Sequence, residues 1–489
     1  MKRWKMLGLV FLAMVVAGPS AAQQMHEQLK SGGAPGATHY GHPRLWSDGK
    51  GTIYLLRSTE RENLPRDLLF SRSVNGGESW EIQDLVLDRA KPSNARSRDP
   101  QLAMDGSGRL HVVWQMKLRD GKKEIRFATS ADGGKSWPAQ GVKVNQADGA
   151  FEPRIALDGN GHIYVTWYDE RVSVTRGASP ERDLAVFFTR SPDGGNSWPA
   201  QDVKLSAAPP RTGRSASISA KPRIAADGAG RVFVAWYDTR NKRGDLYYKR
   251  SDDRGQTWLT PEVRLQREEG NISDFQLLKD PSGALFLLWS EDRTQTLDRN
   301  QVRLSRSQDW GKEWDVQALR IDDSPKKAQF PHLAADGKGN LYVAWHDTRN
   351  GEPDIYFRRS TDRGQTWLPA VRLDRDGAGV AESLFPQVAT DSEGRVVVVW
   401  QDDREGLFRI YLNASQDSGR TWLAKDVRLD VKGEDPETDH RMPQIVLDGR
   451  GGAVVAWEIV KPREERKKTA VQRVPLAALF TDQPAAKKP

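Results

Sequence analysis

Residues 331–373 read PHLAADGKGNLYVAWHDTRNGEPDIYFRRSTDRGQTWLPAVRL. Apolar and polar residues alternate over 332–335, 340–347, 354–359 and 367–373, with turn residues between the runs. Successive side chains of a strand point to opposite faces, so this period of two predicts short strands joined as an antiparallel meander. Two of the turns carry signatures. Asp336-Gly337-Lys338-Gly339 joins the first strand to the second, and Ser360-x-Asp362-x-Gly364-x-Thr366-Trp367 joins the third to the fourth.

Both signatures recur along the whole chain. Segments of the first kind open at Pro43, Pro100, Pro153, Pro222, Phe275, Pro331, Pro386 and Pro443. Their second strands end on Trp114, Trp167, Trp236, Trp289, Trp345, Trp400 and Trp457, with Arg57 in that place in the first copy. The second signature, Ser-x-Asp/Asn-x-Gly-x-Ser/Thr-Trp, starts at Ser73, Ser130, Ser191, Ser251, Ser307, Ser360 and Ser415, a mean period of 57 residues. Only its fifth copy departs, with Glu313 at the hydroxyl position. A four-stranded repeat of this length is the size of a propeller blade. The fold class predicted is therefore all-β: a β-propeller of four-stranded antiparallel blades. An eighth repeat without the second signature favours eight blades over six or seven. Its outer strand would come from 474–480 or from the segment before Tyr40, closing the ring and hiding the edge strands.

The second signature has a structural explanation. Its Asp can accept backbone N–H bonds within a tight turn, Gly supplies the backbone conformation other residues dislike, and Trp buries a large ring between sheets. These seven Trp and the seven at strand ends account for most of the 17 in the chain.

This signature is the Asp box, and on its seven regularly spaced copies the chain resembles the sialidase (neuraminidase) superfamily, whose repeats are also called BNR repeats. The resemblance covers nearly all of the mature chain. It implies a propeller, with six blades in catalytic sialidase domains, and an active site on the face opposite the boxes. It also implies an arginine triad that binds the carboxylate of sialic acid, a Tyr nucleophile assisted by Glu, and a separate Asp as acid/base.

Loops of a meander alternate between two faces. Boxes and Asp-Gly-x-Gly turns share one face, the bottom; links from strand two to three, and from blade to blade, share the top. A repeated top-face signature, Asp/Glu-x-Arg (Asp169/Arg171, Asp238/Arg240, Glu291/Arg293, Asp347/Arg349, Asp402/Arg404), is too regular for a catalytic role and reads as a charge-paired turn, meeting the acids Asp183, Asp245 and Asp354 that open strand three.

A site should break the repeat. The residue after each opening Pro or Phe is Arg44, Gln101, Arg154, Arg223, Gln276, His332, Gln387 or Gln444, and the residue before it is His42, Asp99, Glu152, Lys221, Asp274, Phe330, Phe385 or Met442. The first of these positions starts the innermost strand and should ring the mouth of the central channel; the second varies from copy to copy. Arg44, Arg154 and Arg223 are candidate substrate-binding residues, since guanidinium groups hold carboxylates through paired charge-assisted bonds. The segment His42-Pro43-Arg44-Leu45 resembles the family's Arg-Ile-Pro segment; the other two arginines fit by repeat position. Asp99 and Glu152 are candidate catalytic acids, and Tyr168 and Tyr237 candidate phenols. The family's Tyr comes late in its domain, whereas the last Tyr here is Tyr411.

Composition narrows the remaining classes. Residues 1–22 read as a signal peptide: Lys2, Arg3 and Lys5 precede an apolar run, and Ala22 ends a small-residue cleavage site. One propeller domain over 23–480 and a basic tail over 481–489 would follow, in the periplasm or outside the cell. There are no cysteines, which excludes disulfides and thiolate sites. The net charge of +8 resides in the signal segment and the C-terminal extension, leaving a near-neutral body without a nucleic-acid-binding signature. No later segment is long and apolar enough to span a membrane, histidines lack metal-ligand spacing, and Ca²⁺ at the Asp-Gly-x-Gly turns is less favoured than turn capping. Neither a metal nor another cofactor is expected. Two functions remain: a sialidase-like hydrolase or lyase acting on acidic glycans, or a non-catalytic scaffold, monomeric, that binds glycan or envelope protein.

Overall fold

Each period of the sequence folds into one antiparallel sheet in chain order, giving seven four-stranded sheets and an eighth of three strands. In this computed structural model the described residues are 39–481 apart from 61–66, 90, 93, 177–178, 207–217, 267–269, 294–299, 430–436 and 462–465. The expected signal peptide and nearly all of the tail fall outside them. Blade six shows the pattern: Ala328–Ala335, Leu341–Asp347, Asp354–Ser360 and Val371–Arg372. The outer strand is shorter than the alternation predicts. Box residues use their backbone N–H groups within the turn, and the ladder with strand three is left to Val371 and Arg372, opposite Phe357 and Tyr356.

The boxes behave as the turn chemistry requires. In blade six the Ser360 hydroxyl donates to Asp362 Oδ1 at 2.7 Å and accepts from Gly364 N at 2.7 Å, while Thr366 N donates to Asp362 Oδ1 at 2.9 Å. The box then reaches the neighbouring Asp-Gly-x-Gly turn, Arg363 N donating to Gly339 O at 2.9 Å, so both turns occupy one face. Box tryptophans pack against the preceding blade: Trp137 edge-on to Phe70, Trp198 to Phe127, Trp258 to Phe188 and Trp422 to Phe357, with centroids 4.7–5.3 Å apart. Burial of these rings between sheets supplies much of the apolar contact that joins blades.

The same contact closes the ring. Trp80, in the box of blade one, packs with Val454, Ala456 and Val471 of blade eight, and Arg450 Nε donates to Lys50 O at 3.1 Å. Blade eight comprises Asp439–Leu447, Gly452–Lys461 and Arg466–Pro475, so eight blades form the propeller. The expected outer strand over 474–480 is corrected. Val474 ends the third strand, and Leu476–Phe480 forms a 3₁₀ turn whose Leu476, Leu479 and Phe480 pack into the core between blades seven and eight. The apolar run caps the last blade instead of pairing with it.

One irregularity repeats in all eight blades. Strands one and two lose register at the residues that open each repeat, as between Arg98 and Gln101 or Gln329 and His332. The residue before the opening Pro is left-handed: φ is 53° at Asp99, 44° at Glu152, 53° at Lys221, 48° at Phe330, 52° at Phe385 and 54° at Met442. Bulky residues rarely adopt that conformation, and a bulge re-aims the side chain it carries. The bulges stand at the top of the innermost strands and therefore shape the channel mouth.

Candidate functional site at the channel mouth

The repeated Asp/Glu-x-Arg signature forms a structural cluster. Asp402, fully buried, accepts from Trp400 Nε1 at 3.2 Å, Ser383 Oγ at 2.6 Å and Arg404 Nη2 at 2.6 Å. Asp238 and Asp347 repeat the arrangement with Trp236 and Arg240, and with Trp345 and Arg349. The arginines then stack over tyrosines, Arg240 on Tyr247, Arg349 on Tyr356 and Arg404 on Tyr411, at 4.0–4.1 Å. The expected partners at the start of strand three are corrected. Asp245 bonds Arg264 at 3.0 Å and Asp354 bonds Arg372 at 3.1 Å, both arginines coming from strand four. Side chains of residues 171–183 lie outside the description, so Arg171 and Asp183 are not placed.

The three symmetry-breaking arginines are different. They start from the inner strands of blades one, three and four, and electrostatic coupling links Arg154 to both Arg223 and Arg44. Burial first, then those two like charges, holds Arg154 down to about 9, against the attraction of Glu152 and Asp99. Burial also lowers Arg44, with Asp99, Glu152 and Glu458 opposing, and lowers Arg223, with Asp274 and Glu152 opposing. Their direct bonds are weak. Arg154 donates to Pro153 O at 2.9 Å and lies 3.8 Å from Glu152; Arg223 donates to Pro222 O at 3.1 Å and faces the Phe275 ring at 5.2 Å. Compared with 2.6–2.8 Å contacts in the repeated clusters, these half-buried cations lack close carboxylate pairs among the described residues.

Tyr168 adjoins this cluster. Its phenol donates to Glu152 Oε1 at 3.4 Å, and its ring stacks on Phe151 at 5.1 Å. Burial, then the Glu152 carboxylate, pushes the phenol above its ordinary range. Asp99 is coupled to Arg44, Arg154 and Tyr168, and its carboxylate lies 3.4 Å from Arg98. Six of the seven expected site residues thus converge. Tyr237, at the equivalent position of blade four, has other neighbours: Lys221, whose Nζ lies 5.8 Å from the ring, and the acids Asp238 and Asp245.

Sequence reasoning missed Glu458. It follows the strand-end Trp457, is buried in blade eight and couples to Arg44. Its position matches Tyr168 and Tyr237 in their repeats, so the residue after the strand-end Trp also carries the signal. A second missed group is Asp354, Asp374 and Asp376, whose oxygens lie within 4.8 Å of one another. Arg372 sits among them at 2.6–3.1 Å, and Ile355 N donates to Asp374 at 3.1 Å, so the cluster belongs to the link between blades six and seven.

An antiparallel propeller with regularly spaced boxes and a charged mouth defines the class of protein. The chain belongs to the BNR repeat-like domain family, whose model matches residues 53–343. Among solved structures it is similar to a polysaccharide lyase of family PL25, an ulvan lyase, with TM-score 0.50 and 12% identity over 78% of this chain and 96% of the other. It is also similar to the leech intramolecular trans-sialidase, TM-score 0.39 and 13% identity over 91% and 69% of the two chains. A Hadza microbial sialidase gives TM-score 0.38 and 16% identity over 71% and 70%. At these identities the likeness concerns the fold. Comparison with curated protein sequences gave no match. Among the described residues, no helix is long and apolar enough to cross a membrane.

Proposed function

We propose that this protein is an exported, sialidase-like propeller that binds carboxylate-bearing glycans at its channel mouth and cleaves the glycosidic bond. One observation carries the reading: Arg44, Arg154 and Arg223 converge half-buried without the close acid partners that other arginines of the fold possess. A substrate carboxylate would supply the missing charge through paired N–H···O bonds, which are strongest where water is excluded.

Tyr168 would attack the anomeric carbon as its proton passes to Glu152, while Asp99 protonates the departing glycosidic oxygen. A water deprotonated by Asp99 would then release the sugar, and Glu152 would return its proton to Tyr168. The separation of 3.4 Å between phenol and carboxylate is compatible with tightening on substrate binding. Tyr237, whose neighbours are Lys221, Asp238 and Asp245, has no assigned step. No metal or cofactor enters this scheme. Export through residues 1–22 would leave a monomer beginning at Gln23, in the periplasm or outside the cell.

The test is hydrolysis of a fluorogenic sialoside, with binding of N-acetylneuraminate measured in parallel. Arg154→Ala should weaken binding by about 10- to 100-fold, the loss of one charged hydrogen-bonding group. Tyr168→Phe should abolish turnover while leaving binding intact. The non-catalytic reading draws on the same Tyr168, whose half-buried, stacked phenol is hard to ionise. Binding without turnover across pH 4–8 would select it; absence of both would exclude the arginine site for this substrate.

A further inference from the structure

The bulges that open each repeat place one side chain per blade at the mouth, and these side chains are segregated by chemistry. Blades two to four carry Asp99, Glu152 and Lys221 there, with Asp274 just past the blade-five irregularity between Ile272 and Asp274; blades six to eight carry Phe330, Phe385 and Met442. Phe330 and Met442 are 39% and 44% exposed, among the few large apolar side chains that meet solvent. Phe330 and Phe385, from adjacent inner strands, pack edge to face at 4.8 Å. His346, on the second strand of blade six opposite Gln329, packs against both rings at 5.3 and 6.2 Å. It is buried, and burial holds it down to about 4, so this imidazole is neutral at pH 7.

We infer that Phe330, Phe385 and Met442 form a second binding subsite, a platform for a neighbouring sugar ring of the same acidic oligosaccharide whose carboxylate is held by Arg44, Arg154 and Arg223. The inference rests on the proposed arginine site and adds to it the size and shape of the ligand. Blade eight, which carries Met442, meets blade one, which carries Arg44, so the apolar arc continues into the cationic one.

Three features of the mouth select this occupant. The arginines require an anion. Asp99, Glu152, Lys221 and Asp274 offer charged acceptors and a donor to hydroxyl groups. The phenyl arc requires a flat apolar surface. A pyranose has an apolar face of C–H groups bounded by hydroxyl edges, so one chain of acidic sugars satisfies all three. An apolar peptide would leave the charged arc unpaired and desolvated, which is costly. The Phe330–Phe385 pair is already fixed by its edge-to-face contact, so little side-chain freedom is lost on docking.

Calorimetric titrations with N-acetylneuraminate against 3′-sialyllactose, and galacturonate against tetragalacturonate, test the inference. For at least one pair the oligosaccharide should bind wild type more tightly than its monosaccharide. Phe330→Ala and Phe385→Ala should each lose about tenfold in oligosaccharide affinity, as for removal of one aromatic contact, with monosaccharide affinity unchanged. Phe330→Tyr, which keeps the ring, should restore it, and matching unfolding midpoints exclude a folding defect. Oligosaccharide affinity unchanged in both alanine variants overturns the platform while the arginine site stands. No binding of any of the four sugars overturns both. A concentration-dependent dimer in sedimentation that disappears in Phe330→Ala assigns the arc to self-association instead and overturns the inference.

Discussion

Asp402→Ala tests whether the repeated top-face acid is structural. Burial alone would raise this carboxyl, but hydrogen bonds and charge from Arg404, with the Ser383 hydroxyl, hold it below the usual carboxylate range. Alanine removes the acceptor for Trp400 Nε1 at 3.2 Å, Ser383 Oγ at 2.6 Å, and Arg404 N, Nε and Nη2 at 2.9, 2.8 and 2.6 Å. Removing one partner of a buried ion pair costs about 3–5 kcal/mol. Arg404 keeps Asp426 at 2.9 Å and its stack on Tyr411, so the lower end applies, about 3 kcal/mol.

A stranded buried N–H costs a further ~1–3 kcal/mol. Blade two calibrates that contribution. Met116 replaces the acid there, Trp114 Nε1 is buried without a partner, and the blade still forms. The low end is therefore appropriate, and the expected total is about 4 kcal/mol. Urea unfolding followed by tryptophan fluorescence would measure it as a fall in midpoint at constant slope. Arg404→Ala in the same background should recover about 1–3 kcal/mol relative to additivity. A loss below about 1 kcal/mol, or strict additivity, would refute the cluster as a stabilising unit, given the usual worth of buried ion pairs. Lost sugar binding at full stability would make the acid functional.

Two further outcomes follow from the same physics. In the box of blade six, burial raises Asp362, but the Thr366 hydroxyl and N–H and the Ser360 hydroxyl outweigh it and hold the carboxyl at about 2. Its contribution to stability is thus present above the unfolded value of 3.8 and is lost as pH falls towards 2. Asp362→Asn should flatten that part of the acid-unfolding curve and lower stability at pH 7 by the part the charge supplied, while the turn still forms, because Asn75 already fills this place in box one, accepting from Ser79 N at 2.9 Å. An unchanged acid limb would contradict the assignment. Leu476→Ala, at a position 2% exposed in the terminal 3₁₀ turn, should cost about 2–5 kcal/mol in urea; a negligible loss would mean that the turn does not cap blade eight.

The fold was legible because its signals are local and repeated: alternation, box and strand-end Trp all fall within one period. Arg44, Arg154 and Arg223 were legible for the opposite reason, as departures at a fixed position. Contacts between blades were harder to read. Glu458 reaches Arg44 only because the ring closes, and Asp354 chooses Arg372 over Arg349 because strand four lies beside strand three. The segment 474–480 was ambiguous because a capping 3₁₀ turn and an outer strand both require apolar residues there. The bulge left no clear mark, since Pro alone does not dictate a left-handed predecessor.

That bulge bears on how the mouth should be interpreted. A positive φ at a bulky residue is often taken as strain stored for function. Here the same value recurs at Asp99, Lys221, Phe385 and Met442, within 52–54°, whatever the side chain. The architecture therefore imposes the conformation, and its presence at Glu152 says nothing about catalysis. What carries functional information is the residue mounted on each bulge. Because the backbone accepts an acid, a cation, a phenyl ring or a thioether at equivalent points, side-chain chemistry at the mouth can vary without altering the ring. Charge on one arc and apolar surface on the other is thus a property of the sequence at these positions. The variants at Arg154 and Phe330 interrogate the two arcs separately, while Asp402 interrogates the frame beneath them.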